Sequence, residues 1–152
     1  VLTARFGVQQ RTSKGGVKIR TIDDFSMSGV NSTITSTDVI RHDHVDDLAD
    51  VAAVIHRAGF QVVFIKADFK NAYRTVPVRP EDRSCAEIIV RGTDAKRWVT
   101  IEQWALPFGA TAAVYGWGRV GTAITQILRS TGLPVLRYVD DLFLAVPIEV
   151  VM

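Results

Sequence analysis

The clearest periodic stretch lies between residues 43 and 59. Val45, Leu48, Val51, Ala52 and Ile55 recur at helical spacing, which predicts an amphipathic helix. Asp43 stands where an N-cap belongs and Gly59 where a helix stops. Before it, "VKIRTIDDFS" (17–26) follows a Gly15-Gly16 turn and predicts a strand, and the polar "MSGVNSTITST" predicts a loop. After it, "FQVVFIKA" (60–67) is a short, β-branched apolar run that reads as a buried strand ending at Asp68. "AEIIVRG" and "KRWVTIEQW" flank the turn "GTDAK" and predict a hairpin. "LPFG" (106–109) then breaks the pattern. "ATAAVYGWGRVGTAITQILRSTG" predicts a long helix, although its interior glycines each cost about 1 kcal/mol against alanine. So many small residues point to close packing. Finally "LPVLRYV" and "LFLAV" predict two strands around Asp140-Asp141. The order strand, helix, strand, hairpin, helix, hairpin predicts an α+β fold, with helices against a mainly antiparallel sheet.

Composition narrows this picture only a little. At 152 residues and 47% apolar, the chain can build one real core, and disorder is excluded. Cys85 is the single cysteine, so no internal disulfide forms and nothing suggests secretion. An intracellular location, cytoplasmic or nuclear, is the expectation. No apolar run reaches transmembrane length, and no membrane partner is expected. The chain opens without methionine and ends just after a predicted strand, which reads as a piece of something longer. The net charge of +2 is unevenly spread. Arg5, Arg11, Lys14, Lys18 and Arg20 precede any acid, whereas Asp38, Asp43, Asp46, Asp47 and Asp50 gather at the first helix. The basic arm suits phosphate but reads first as solvated surface. The acids suit the positive end of the helix dipole.

Asp-Asp occurs three times. Asp23-Asp24 closes a basic strand, and Asp46-Asp47 sits in a first helical turn. Asp140-Asp141 has no such explanation, because apolar strands flank it without Gly, Asn or Pro between them. Two carboxylates about 4 Å apart repel by about 4 kcal/mol at an effective dielectric near 20. A divalent cation reverses that sign. Asp68 also ends a buried strand, and if the two strands are neighbours it can face Asp140. Carboxylates so placed suit magnesium with substrate phosphates, and two such ions suit phosphoryl transfer. Spacing alone equally allows Asp68 to cap the turn "FKNAYR".

"FIKADFKNAYRTVPV", "LPFG" and "YVDD", in that order, resemble a reverse transcriptase from about Lys14 to Val146. "KIRTIDDFS" resembles that family's fingers segment. The resemblance implies the fingers and palm of a right-hand polymerase. Residues 1–40 and 77–108 would be fingers and 41–76 and 109–152 palm, with thumb, connection and RNase H absent. It implies that Asp68, Asp140 and Asp141 are the catalytic carboxylates, binding two Mg2+ ions (or Mn2+) together with the Phe69 carbonyl. Tyr73 would be the steric gate against a ribose 2′-hydroxyl. The Asn71 and Ala72 amides would meet the triphosphate, Arg20 with Lys14 or Lys18 would clamp it, and Phe108 and Gly109 would border the nucleotide. Tyr138 would lie near the primer end. The implied partners are an RNA or DNA template with its primer and deoxynucleoside triphosphates. The implied reaction is attack of a primer 3′-hydroxyl on the nucleotide α-phosphate.

Retroviral relatives carry Gln at the position of Phe108, so "LPFG" is more similar to gypsy-type or tyrosine-recombinase retrotransposons. Two rivals remain: a non-catalytic remnant or nucleic-acid-binding module, and a palm-type RNA-dependent RNA polymerase. The aromatic Tyr73 argues against the second. "HDH" (42–44) reads as helix-start decoration rather than a metal site. Cys85 reads as a bland or buried thiol, and Trp98, Trp104 and Trp117 as core. "YGWGRVG" lacks the lysine of a phosphate loop.

Overall fold

The computed structural model describes residues 2–12, 15–93 and 96–152. The strands are β1 (Thr3–Arg11), β2 (Val17–Asp23), β3 (Val62–Asp68), β4 (Glu87–Arg91), β5 (Trp98–Glu102), β6 (Leu136–Tyr138) and β7 (Asp141–Pro147). The helices are α1 (Val45–Arg57) and α2 (Thr111–Ser130), and short 3-10 turns fill connections such as Ala72–Thr75. The fold is α+β and rich in antiparallel pairs, as the patterning predicts. The chain forms two compact units, Val1–Thr37 with Tyr73–Trp117 and Asp38–Ala72 with Gly118–Met152. Helix α2 supplies residues to both. Among the described residues no helix is long and apolar enough to cross a membrane.

The first unit holds a four-stranded sheet in the order β2-β1-β4-β5. Strand β1 is absent from the sequence reading, yet its signal is there. Phe6 and Val8 alternate with polar residues, and a turn at Gly15-Gly16 requires a strand on its other side. The β1–β2 pairing runs from Arg5↔Asp23 to Arg11↔Val17, and β1 also lies parallel to β4. Phe25, Ile88, Ala110 and Ala113 form the core, with Val30, Tyr73, Val90 and Leu106 packed on it. Asp23 is buried beside this core and is fully engaged. Arg5 forks onto it at 2.6 and 3.0 Å, Gln103 donates at 2.9 Å, and the Arg74 guanidinium lies 3.5 Å away.

The second unit is built on the sheet β3-β7-β6, with α1 packed on β7 and β3. The N-cap of α1 is His44, not Asp43. The His44 amide donates to the Asp47 carboxylate at 2.6 Å. Asp43 is committed elsewhere, accepting the Arg137 amide and an Arg129 guanidinium N–H, each at 2.7 Å. At the other end the Phe60 amide reaches the Ile55 carbonyl, and the helix stops before Gly59 as expected. The helical glycines do permit close approach. A Cβ on Gly116 would stand 2.6 Å from Leu106, and one on Gly121 would stand 2.9 Å from Arg137 Nη1.

Three side-chain expectations change. Trp117 is core, but Trp98 and Trp104 are each 67% exposed, and Arg83 stacks over the Trp104 ring at 4.6 Å. Cys85 is exposed, which removes the buried alternative and leaves the bland one. His42 is more than helix-start decoration, since its Nδ1 accepts the Val139 amide and its ring meets Tyr138.

Candidate active site

Strands β3 and β7 are antiparallel neighbours, so two distant stretches of sequence end side by side. The register pairs Ala67 with Leu142 and Asp68 with Asp141. It is therefore Asp141, not Asp140, that faces Asp68. Pairing Tyr138↔Asp141 closes the β6–β7 hairpin over a two-residue loop, Val139 and Asp140. Asp140 thus belongs to the loop and Asp141 opens the strand. One further contact carries β3 past its end, since the Phe69 amide donates to the Asp140 carbonyl at 3.1 Å. The Phe69 carbonyl in turn accepts the Ala72 amide at 3.2 Å. Asn71 adopts a left-handed φ of 59° within this short connection.

One internal cation offsets part of the charge of these carboxylates. Lys66 Nζ lies 2.9 Å from Asp141 Oδ2. That hydrogen bond, against slight desolvation and with the charges of Asp141, Asp68 and Asp140, raises the Lys66 pKa above its ordinary value. All three carboxylates therefore act on one ammonium. The sequence reading missed Lys66. Its signal is positional, two residues before Asp68 and so on the same face of β3.

The loop itself is unusual. Val139 has φ +55°. Positive φ at the first of two hairpin-loop residues is normally glycine's place in a type II′ turn, and a β-branched residue there is strained. Arg137, which is buried, donates Nη1 to the Val139 carbonyl at 2.8 Å and Nη2 to Thr122 Oγ1 at 3.0 Å. The Val139 amide donates to His42 Nδ1 at 3.3 Å, and the His42 ring meets Tyr138 at a centroid distance of 5.2 Å. Tyr138 is otherwise largely exposed.

The remaining candidates divide between the units. Tyr73, Phe108 and Gly109 belong to the first unit, where they line one cavity of about 200 Å³ with Pro107, Ala110, Thr111, Ala113 and Val114. The Tyr73 ring meets Phe108 edge-on at 5.2 Å. Gly109 has φ +96°, and a Cβ there would overlap the Asp23 carbonyl oxygen, so only glycine fits. Asn31 fastens this corner by donating to the Gly109 carbonyl at 2.9 Å and accepting the Thr111 amide at 2.8 Å. Lys18 and Arg20 stand exposed on β2 opposite Gln10 and Val8. Lys14 lies outside the described residues. Asp68, Phe69, Asn71, Ala72, Tyr138, Asp140 and Asp141 belong to the second unit.

The family model for "Reverse transcriptase (RNA-dependent DNA polymerase)" matches residues 18–150. The chain belongs to the reverse transcriptase family. No curated protein matches it. Membership carries the general chemistry of RNA-directed DNA polymerases, nucleotidyl transfer with a nucleic-acid template, a primer and nucleotide substrates, and reverse transcriptase domains generally use divalent metals. The carboxylates fit such an ion in kind, since hard cations take oxygen donors and magnesium is often held by one or two carboxylates plus phosphates. Among the described residues no group of three His, Cys, Asp or Glu converges as a metal cage. Asp68 and Asp141 are thus paired across β3 and β7, with Asp140 in the adjoining loop and Lys66 bonded to Asp141.

Proposed function

We propose that this reverse transcriptase domain catalyses DNA synthesis for a retroelement of the gypsy or tyrosine-recombinase type. The observation that carries the reading is the register pair Asp68↔Asp141, with Asp140 in the adjoining loop. Asp68 and Asp140 would hold the ions, with Asp141 and the Phe69 carbonyl completing the oxygen donors. When bound, Mg2+ supplies the positive charge that lowers a hydroxyl pKa and offsets charge on a leaving phosphate. The reaction joins the primer 3′-oxygen to the α-phosphorus of a deoxynucleoside triphosphate and releases pyrophosphate. Tyr73 would exclude a ribose 2′-hydroxyl, which favours deoxynucleotides and disfavours an RNA polymerase reading. The cavity it lines with Phe108 and Gly109 supports that assignment. Arg20 and Lys18 would hold the triphosphate, a guanidinium fork matching phosphate oxygens. Asn71 and Ala72 would border it, and Tyr138 the primer end. The interleaving of the two units supports a division into fingers (1–40, 77–108) and palm (41–76, 109–152). Phe108, in place of glutamine, supports the retrotransposon branch.

The test is primer extension on an RNA template by the 152-residue chain, with binding of Mn2+ measured alongside. Asp140→Asn is expected to lower extension about 100-fold or more and to weaken Mn2+ binding. Asp46→Asn, in the first turn of α1, is expected to change neither. Equal Mn2+ binding and equal extension by wild type and Asp140→Asn would end the reading and leave a module that keeps only the fold.

A further inference from the structure

The Val139 turn raises a question that the carboxylates alone do not answer. A two-residue hairpin loop without glycine holds a left-handed β-branched residue directly before Asp140. Such a conformation is strained and persists only when its surroundings over-determine it. Here both polar backbone groups of Val139 are held by side chains. Arg137 takes the carbonyl, and His42 takes the amide from a segment 97 residues away in sequence.

The support behind these two side chains is continuous. Arg137 fits against Gly121 of α2, where a Cβ would stand 2.9 Å from its Nη1. Its backbone amide is fixed by Asp43, next to His42. Asp43 is fixed by Arg129 of α2, which also donates to the Val135 carbonyl at 2.8 Å. The short segment ahead of α1 is thereby pinned to β6, and His42 has a defined place.

We propose that His42 is a positioning residue, whose Nδ1 lone pair holds the Val139 amide and so fixes the loop that presents Asp140 and Asp141. The inference rests on the reading of those aspartates given above, and it adds a residue that touches neither substrate nor metal. The chemistry is specific. An imidazole accepts through Nδ1 only as the neutral Nε2–H tautomer. Burial and the neighbouring Arg137 charge, opposed by Asp43 and joined by His44, lower the His42 pKa and keep that lone pair available at neutral pH. Tyr138 packs on the ring from the side, so shape and acceptor can be separated by substitution. His42→Phe keeps a ring against Tyr138 and removes the acceptor. His42→Asn keeps a short-range acceptor and removes the ring.

The experiment measures amide hydrogen exchange at Val139 and affinity for Mn2+ in the 152-residue chain. His42→Phe is expected to speed exchange at Val139 about tenfold, with Leu142 and Leu144 of β7 as internal controls of an intact sheet. It is also expected to weaken Mn2+ binding about tenfold, the usual effect of losing a residue that orients metal ligands. His42→Asn is expected to stay near wild type in both. Unchanged exchange at Val139 in His42→Phe overturns the inference. So does faster exchange with unchanged Mn2+ affinity, and so does His42→Asn behaving like His42→Phe. If His42→Phe does not fold, His42→Ala is judged against His42→Asn by the same two measurements. An Asp140→Asn variant that binds Mn2+ like wild type overturns the reading of the site itself, a different failure from loss of the His42 contact.

Discussion

Two hairpins of this chain solve the same problem in opposite ways. Where β1 turns into β2, the described bonds join the two ends of the turn. Thr12 and Gly16 exchange backbone and hydroxyl bonds at 2.8, 3.0 and 3.2 Å, and Gly15 supplies φ +80° in open space. Where β6 turns into β7, no glycine is present, Val139 holds φ +55°, and the bonds that hold it come from Arg137 and His42. Among the described residues, the first turn is closed by Thr12 and Gly16. The second draws one of its bonds from far along the chain, from His42 ahead of α1.

The comparison can be broken most forcefully at Arg137. Arg137→Met removes the guanidinium bonds to Val139 and Thr122 while keeping length, and should lower stability by about 3 kcal/mol in urea unfolding. A loss below about 1 kcal/mol would mean that the second turn holds itself. Next in size is the first turn. Gly15→Val should cost about 1–2 kcal/mol, because Gly15 has φ +80°, a left-handed conformation that a β-branched residue adopts only under strain. The reverse exchange, Val139→Gly, should gain about 0.5 kcal/mol, the relieved strain being partly offset by glycine's greater freedom when unfolded. A clear loss of stability would show that Val139 is not strained.

The smallest effect is with pH. His42 has a folded pKa below 6.5, so as pH falls from 6.5 through that lower value the unfolded chain takes up the proton first and stability declines. Asp43 acts in the same direction below 3.8. Burial would raise its carboxyl, but the Arg137 amide and Arg129 outweigh burial and lower it. Urea midpoints between neutral pH and about pH 5 should therefore fall less steeply for His42→Asn than for wild type. Parallel curves would remove His42 from the account.

Much of the fold was legible because its long elements follow simple periods. Val45 to Ile55 and the apolar run ending at Asp68 each predict their element within a few residues. Strand β1 was missed because Gly7 and the glutamines dilute its alternation, so that only the turn after it speaks for it. The Asp68 and Asp141 ends were legible as strand ends, but their register was not. The sequence puts the loop at Asp140-Asp141, the structure puts it at Val139-Asp140, and that shift of one residue decides which aspartate faces Asp68. His42, Asp43, Lys66 and Arg137 were illegible for a different reason. Their roles include hydrogen bonds and ion pairs spanning 75 to 97 residues, and no local pattern announces them.

The contact between Lys66 and Asp141 has a practical side. Because the chain brings its own counter-ion to these carboxylates, protein dialysed against a chelator should keep its fold. If the proposed site takes a divalent cation, that cation would compete with a tethered ammonium. Acetylation of Lys66, whose side chain is 57% exposed, would remove that competitor and leave three carboxylates in want of a cation.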